Sequence, residues 1–173
     1  RPPVSLDIAR KVLLTESAAI RALVSRLDRS FLKAVDMLYR GRGRVIVIGM
    51  GKPGFIAQKI SASLASTGTP SMSVHPADAV HGDIGRIHKN DTVIALSKSG
   101  ETEEIIRIIP SIRKIGCRLI AITCNPSSQL GKASDVTLDV SIKTEAEPLT
   151  DVPTTSSACR TVDRRCAMIR LVR

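Results

Sequence analysis

Aromatic side chains are scarce in this sequence, which has two phenylalanines, one tyrosine and no tryptophan. Single-stranded nucleic acid is bound by stacking bases on aromatic rings, so this class of protein is disfavoured. The net charge of +10 does not change that, because five arginines and one aspartate in residues 156–173 supply +4 of it. The remaining charge is spread out and fits a small anionic ligand equally well. We therefore expect no nucleic-acid partner.

Cysteines and long apolar runs are also few. The four cysteines form neither a Cys-x-x-Cys pair nor a metal-finger spacing, which favours reduced thiols in the cytoplasm over a disulfide framework. No stretch reaches the roughly 18 apolar residues that a membrane span requires. The chain opens on Arg1 without the pattern of a secretory signal, so we expect a trimmed N-terminus, a cytoplasmic protein and no membrane partner.

The N-terminal segment has the apolar spacing of two amphipathic helices. Apolar residues recur at near-helical intervals over residues 8–27, and Ser5 can cap the first helix with its hydroxyl. A second helix is predicted over about 28–38, ended by Gly41 and Gly43, which tolerate the backbone of a helix end. The two would form a helical hairpin of the kind used for packing or subunit contact.

The pattern then changes to five short apolar runs separated by helix-like sequence. The runs cover residues 45–48, 72–74, 93–96, 119–122 and 136–140, and the clearest intervening helices cover 55–66, 101–115 and 127–134. Runs without polar alternation suit strands covered on both faces, and alternation with helices calls for βαβ crossovers. The sequence therefore predicts an α/β fold, with a doubly wound five-stranded parallel sheet flanked by helices. Ligands of such sheets bind beyond the carboxyl ends of the strands.

A glycine-rich loop follows the first predicted strand at residues 49–54 and opens a helix. Backbone N–H groups of such a loop can approach an anion, and the helix dipole favours it. A dinucleotide site would need an acidic residue at the end of the second strand, where His75 and Pro76 stand, and a Walker loop would need Ser or Thr after Lys52. A bare turn is the alternative, and Lys52 favours a functional loop.

A second loop, residues 97–102, follows the third predicted strand with the sequence Ser-Lys-Ser-Gly-Glu-Thr. Its hydroxyls and glycine can surround a terminal phosphate while the helix N-terminus donates N–H groups. The alternative is an ordinary helix cap with acidic residues in the first helical turn.

These two loops, the second continued to Glu104, together with residues 66–83, Glu145 and the run 153–157, resemble arabinose-5-phosphate isomerases of the SIS (sugar isomerase) family. The resemblance implies interconversion of arabinose 5-phosphate and ribulose 5-phosphate for Kdo, lipopolysaccharide or capsule synthesis. It implies a homotetramer, and the enediol chemistry requires no redox cofactor. A non-catalytic sugar-phosphate sensor of SIS type is the alternative, and 6-phospho-3-hexulose isomerase is a less favoured one.

The resemblance also assigns catalytic roles. Lys52, Glu104, Glu145 and His81 match catalytic or substrate-facing positions of the family. Glu145 is favoured as the proton-shuttling base with Glu104 as its rival, while Lys52 or His81 would polarise sugar oxygens or help open the ring. On the residues alone, Glu104 could equally pair with Arg107 on a helix surface, and Glu145 could be an ordinary loop residue.

Substrate contacts are expected from residues in two of the matching blocks. They are Gly68, Thr69, His75, His81, Ser97, Ser99 and Thr102. His75 also matches a position that binds inhibitory zinc in the family. Because no second ligand with suitable spacing is evident, substrate or structural contact is favoured over a metal there.

The resemblance ends at residue 157. We therefore expect an SIS domain over 1–157, a basic tail over 158–173 that departs from the family, and no CBS domains. Asp163 to Met168 can be encoded by codons that, when read one base later, give Ile-Gly-Asp-Ala-Leu, a sequence that the family has at this place. The hypothesis is a frameshift that impairs activity. Within the loops, Pro53 and Lys98 replace the family's usual Ser and Asn.

Overall fold

The computed structural model describes residues 5–141, in which two N-terminal helices precede alternating strands and helices. Short 3-10 turns lie at Val24–Arg26 and Asp83–Arg86. The elements are α1 Leu6–Ala22, α2 Arg29–Tyr39, β1 Val45–Gly49, α3 Lys52–Ser66, β2 Ser71–Val74, α4 Pro76–Val80, β3 Thr92–Leu96, α5 Glu103–Ile115, β4 Arg118–Thr123, α6 Gln129–Ala133 and β5 Val136–Asp139.

The five strands form one parallel sheet in the order β2-β1-β3-β4-β5. This confirms the predicted doubly wound α/β fold. The connection from β1 goes to one side of the sheet and the connection from β3 to the other, so the strand order reverses between these two neighbours. The carboxyl edge at this switch point is where such sheets bind ligands.

Apolar layers cover both faces of the sheet, which explains why its strands lack polar alternation. On one face, Val47 and Ile94 pack against α2 and α3. On the other, Ile46 and Val93 pack against α4, α5 and α6. α3 and α5 thus lie on opposite faces, and each begins at the carboxyl edge.

The N-terminal helices are confirmed, with one difference. The predicted first helix breaks at Ala22 instead of continuing to residue 27, and Asp28 caps α2 by accepting the N–H of Ser30 at 2.9 Å. α1 buries none of its residues within the described chain, and Leu13 and Leu14 are about 70% exposed. No helix among residues 5–141 is long and apolar enough to cross a membrane.

A buried carboxylate fixes the amino end of the sheet. Asp91 is 3% exposed and accepts hydrogen bonds from the backbone N–H of Arg44 at 2.8 Å and that of His88 at 2.9 Å. The guanidinium of Arg44 donates to the same side chain at 3.2 Å. Charge-assisted bonds of this kind are among the stronger ones in proteins, and here they tie the entry of β1 to the entry of β3.

Cys117 is a free thiol that we expect to be slow to alkylate. It is 3% exposed and donates to the carbonyl of His88, and burial together with the charge of Asp91 raises the pKa of its thiol to about 11. At pH 8 the thiolate fraction is therefore roughly 100-fold below that of an ordinary cysteine. Peptide-resolved iodoacetamide labelling of native protein, compared with labelling in urea, measures the difference. Equal rates in both would contradict the buried placement.

Candidate functional site

The two loops singled out in the sequence lie together at the switch point. Gly49, the last residue of β1, pairs with Leu96, the last residue of β3, so the loops that follow begin side by side. α3 then starts at Lys52 and α5 at Glu103, which brings two helix N-termini to one edge of the sheet. Both helix dipoles present their positive ends there, an arrangement that favours an anion.

These two helices begin without a side-chain cap among the described residues. By contrast, α1, α2 and α6 are capped by the side chains of Ser5, Asp28 and Ser128. The N–H groups of Gly54 and Ile105 are bonded within these turns, and Pro53 has none. Among the described residues, the N–H groups of Lys52, Glu103 and Glu104 are the first-turn donors left to solvent or a ligand. α4, which lies between His75 and His81, also begins without a side-chain cap, so the switch-point helices share this feature with it.

Glycine is required where β1 passes into α3. A Cβ on Gly49 would lie 2.5 Å from the carbonyl oxygen of Pro53, and one on Gly54 would lie 2.8 Å from that of Gly49. Gly51, with φ +59, supplies the turn between them. Pro53 stands in the first turn of α3, where its missing N–H breaks no helical bond, and Lys52 is exposed at the start of the helix.

The second loop, residues 97–102, is held by its own hydroxyls. Ser97 Oγ accepts the N–H of Gly100 at 2.9 Å and lies 2.7 Å from Thr102 Oγ1, while Ser99 Oγ accepts the N–H of Glu101 at 3.1 Å. Gly100 adopts φ +70, which allows the chain to fold back on Ser97. These bonds keep residues 97–102 out of the helix, so the predicted helix 101–115 begins at Glu103 instead.

The hydroxyl pair of this loop has one O–H donor beyond its own hydrogen bond, and either hydroxyl can be the one that donates within the pair. Each hydroxyl carries one O–H, and the bond between Ser97 and Thr102 uses one of the two. Ser97 is 1% exposed and Thr102 is partly exposed, so Thr102 is placed to meet a ligand while Ser97 shapes the loop from below. Ser99 is exposed as well.

The structure distinguishes the two glutamates at the start of α5. Glu103 is exposed and forms an ion pair with Arg107 one turn further on. Glu104 is partly buried, and residues 5–141 contain no ion-pair partner for it. The sequence left open a surface ion pair between Glu104 and Arg107. In the structure Glu103 makes that ion pair instead. A catalytic role for Glu104 stays a prediction that this placement supports.

The two predicted histidines flank α4 at the carboxyl end of β2. His75 follows Val74, which pairs with Ile48, and His81 ends the helix; both side chains are exposed. Since β2 lies next to β1, both histidines lie at the carboxyl edge of the sheet on the β1 side of the switch point. No group of three His, Cys, Asp or Glu side chains that could hold a metal occurs in the described residues. Zinc at His75 stays a prediction.

Gly68 and Thr69 are not brought to the switch point. They connect α3 to β2 at the amino edge, where Gly68 adopts φ +91 and the N–H of Thr69 donates to the carbonyl of Leu64 at 2.9 Å. This is the usual hydrogen-bonded end of an α-helix, so both residues have a local structural role. Their predicted substrate contacts stay untested, and Glu145 lies outside the described residues.

Sequence reasoning missed the loop after β4. Its residues hold the loop 97–102 from the side away from β1: Cys124 donates its N–H to the carbonyl of Lys98 at 3.0 Å, and Leu130 donates to that of Gly100 at 3.1 Å. The Gln129 N–H and side-chain amide both donate to the carboxylate of Glu101. Only its position could have indicated this loop, because it follows β4, which lies next to β3 and ends at the hydroxyl-bearing Thr123.

The fold is a doubly wound α/β domain whose switch point carries two loops and two helix N-termini that favour an anion. The SIS domain model matches residues 37–162, and the chain belongs to that family. The arabinose 5-phosphate isomerase KdsD of Pseudomonas aeruginosa is 50% identical over 149 residues, which are 86% of this chain and 46% of that protein. KpsF of Escherichia coli O6:H1, another arabinose 5-phosphate isomerase, is 43% identical over 156 residues, 90% of this chain and 48% of that protein.

Among solved structures, an E. coli CFT073 protein in complex with arabinose 5-phosphate is similar, with a TM-score of 0.91 and 36% identity. The alignment covers 96% of this chain and 89% of that chain. The chain spans about half the length of the curated relatives it matches.

Proposed function

We propose that this chain is the catalytic domain of an aldose-ketose isomerase that interconverts D-arabinose 5-phosphate and D-ribulose 5-phosphate. The observation that supports this most directly is the pair of uncapped helix N-termini beside the hydroxyl loop 97–102, a place that suits a terminal phosphate. The similarity to a protein solved in complex with arabinose 5-phosphate agrees with a sugar phosphate as the ligand.

The reaction moves one proton between neighbouring carbons. In the open-chain aldose a base removes the proton from C2, the electrons form the C1–C2 double bond of an enediol, and O1 gains a proton. The proton is then returned to C1 while O2 loses its own, which gives the ketose without any net oxidation. Glu145 is the favoured base and Glu104 its rival. Lys52 or His81 would stabilise the charge that develops on the oxygens.

The remaining parts of the proposal concern the setting of the reaction. We place the protein in the cytoplasm, as a homotetramer that supplies arabinose 5-phosphate for the synthesis of Kdo for lipopolysaccharide or capsule. The names of the relatives support the sugar, and the resemblance in the sequence supports the rest. A tail that departs from the family over residues 158–173 would reduce activity.

Turnover in D2O tests the proposal. The chain is expected to convert arabinose 5-phosphate to ribulose 5-phosphate with deuterium at C1, because the base exchanges its proton with solvent before returning it. Unphosphorylated arabinose, the control, lacks the group that the loops bind, so its kcat/KM is expected to be at least about 100-fold lower. A second preparation with the reading frame restored after residue 157 separates a damaged tail from a wrong assignment. Binding without turnover in both preparations would favour the sensor.

A further inference from the structure

We propose that Thr123, the last residue of β4, is a positioning residue that aims the N–H of Ser99 into the switch-point crevice. The inference rests on the proposed function, because it assigns that N–H to the phosphate of the substrate. Thr123 lies under the loop 97–102 and does not itself touch the ligand.

Thr123 is completely buried, and its hydroxyl makes two hydrogen bonds. Oγ1 donates to the carbonyl oxygen of Lys98 at 3.2 Å and accepts the N–H of Asn125 at 3.1 Å. The N–H of Cys124 donates to the same Lys98 oxygen at 3.0 Å. The carbonyl of Lys98 is therefore held toward β4 from two directions.

Because the peptide bond is planar, the direction of the Lys98 carbonyl also fixes the direction of the Ser99 N–H. The C=O of Lys98 and the N–H of Ser99 belong to one peptide unit, and in a trans peptide they point in opposite directions. Since β3 lies between β1 and β4, a carbonyl held toward β4 directs the next N–H toward β1. That side is the switch point, where the N-termini of α3 and α5 meet.

Gly100 helps to fix the same orientation at the other end of the segment 98–100. Its carbonyl accepts the N–H of Leu130 at 3.1 Å, and a Cβ on it would lie 3.1 Å from Thr123 Oγ1 and 1.9 Å from Ser128 Oγ. The segment 98–100 is thus seated directly on Thr123 and Ser128. Removing the hydroxyl of Thr123 eliminates one of the two hydrogen bonds that fix the peptide plane between Lys98 and Ser99.

Thr123→Val tests the inference, because it keeps the shape of the side chain and removes the hydroxyl. The KM for arabinose 5-phosphate and the inhibition constant of inorganic phosphate are expected to rise together by about 5–10-fold. The value of kcat is expected to change less than about threefold, and kcat/KM for unphosphorylated arabinose is expected to stay the same. Thr123→Ser, which restores the hydroxyl, returns both constants to within about twofold of wild type.

Thr92→Val is the matched control. Thr92 is a 3% exposed strand threonine at the amino end of β3, far from the switch point, so its loss of a hydroxyl is expected to leave KM and phosphate inhibition unchanged. If Thr123→Val does not fold, Thr123→Cys carries the weaker thiol at the same place and must show a smaller shift in the same direction. Equal shifts in the Thr92 and Thr123 variants would overturn the inference.

A second readout separates this inference from the proposed function. Inorganic phosphate is expected to slow hydrogen exchange of the Ser99 amide in wild type, and to slow it less in Thr123→Val. If Thr123→Val weakens this protection but neither wild type nor the frame-restored preparation turns over arabinose 5-phosphate, the proposed reaction is wrong and the positioning role stands. If wild type turns over and phosphate leaves the Ser99 amide unprotected, the positioning role is wrong and the reaction stands.

Discussion

Replacing Glu104 by glutamine is expected to lower kcat for arabinose 5-phosphate by about 100- to 10,000-fold, the range that a positioned acid or base contributes. The amide keeps the size of the side chain and removes its capacity to carry a proton. Glu104 is partly buried in the first turn of α5, at the edge of the sheet where the phosphate is proposed to bind. The measurement is initial-rate kinetics, together with deuterium incorporation at C1 of the product.

Glu103→Gln is the control that the chain itself offers. Glu103 is adjacent in sequence and equally acidic, but it is exposed and paired with Arg107. Losing such a helical surface pair lowers the free energy of unfolding by about 0.2–0.5 kcal/mol and is expected to leave kcat within twofold. If the two variants behave alike, Glu104 has no catalytic role. Glu145→Gln, made alongside, then tests the remaining carboxylate.

The sequence was most informative where burial is complete. The runs 45–48 and 119–122 were predicted as strands because they are apolar without alternation, and the observed strands extend them by only one or two residues. The same reasoning located the switch-point loops, since a parallel sheet brings the carboxyl ends of its strands to one edge. Fold and loop positions are therefore properties that local patterns express well.

Orientation within those loops could not be predicted in this way. Both Glu103 and Glu104 lie within helical reach of Arg107, so their spacing in the sequence could not decide which of them forms the ion pair. The support from Thr123 depends on contact between two loops about 25 residues apart in the chain, which no local pattern encodes. Tertiary hydrogen bonds of this kind decide a site's geometry after the fold is fixed.

Gly100→Ala is expected to destabilise the protein by about 3 kcal/mol or more and to lower kcat/KM at least about 100-fold. Two effects add: a side chain at φ +70 is strained by about 1 kcal/mol, and the new Cβ would lie 1.9 Å from Ser128 Oγ, which forces the loop to move. Urea denaturation measures the first quantity and steady-state kinetics the second. Gly116→Ala separates the effects, since Gly116 has a left-handed backbone with φ +85 but its added Cβ would meet nothing closer than 3.6 Å.

A double-mutant cycle tests whether the collision with Ser128 accounts for the larger part of the stability lost in Gly100→Ala. Ser128→Gly removes the side chain that the new Cβ would meet, and glycine replaces serine as a helix cap at a loss of only a few tenths of a kcal/mol. Combining it with Gly100→Ala is expected to recover about 1–2 kcal/mol relative to the sum of the single changes. An additive cycle would mean that backbone strain alone excludes a side chain at this position. Recovery would show that contact with the β4–α6 loop keeps the loop 97–102 in its shape.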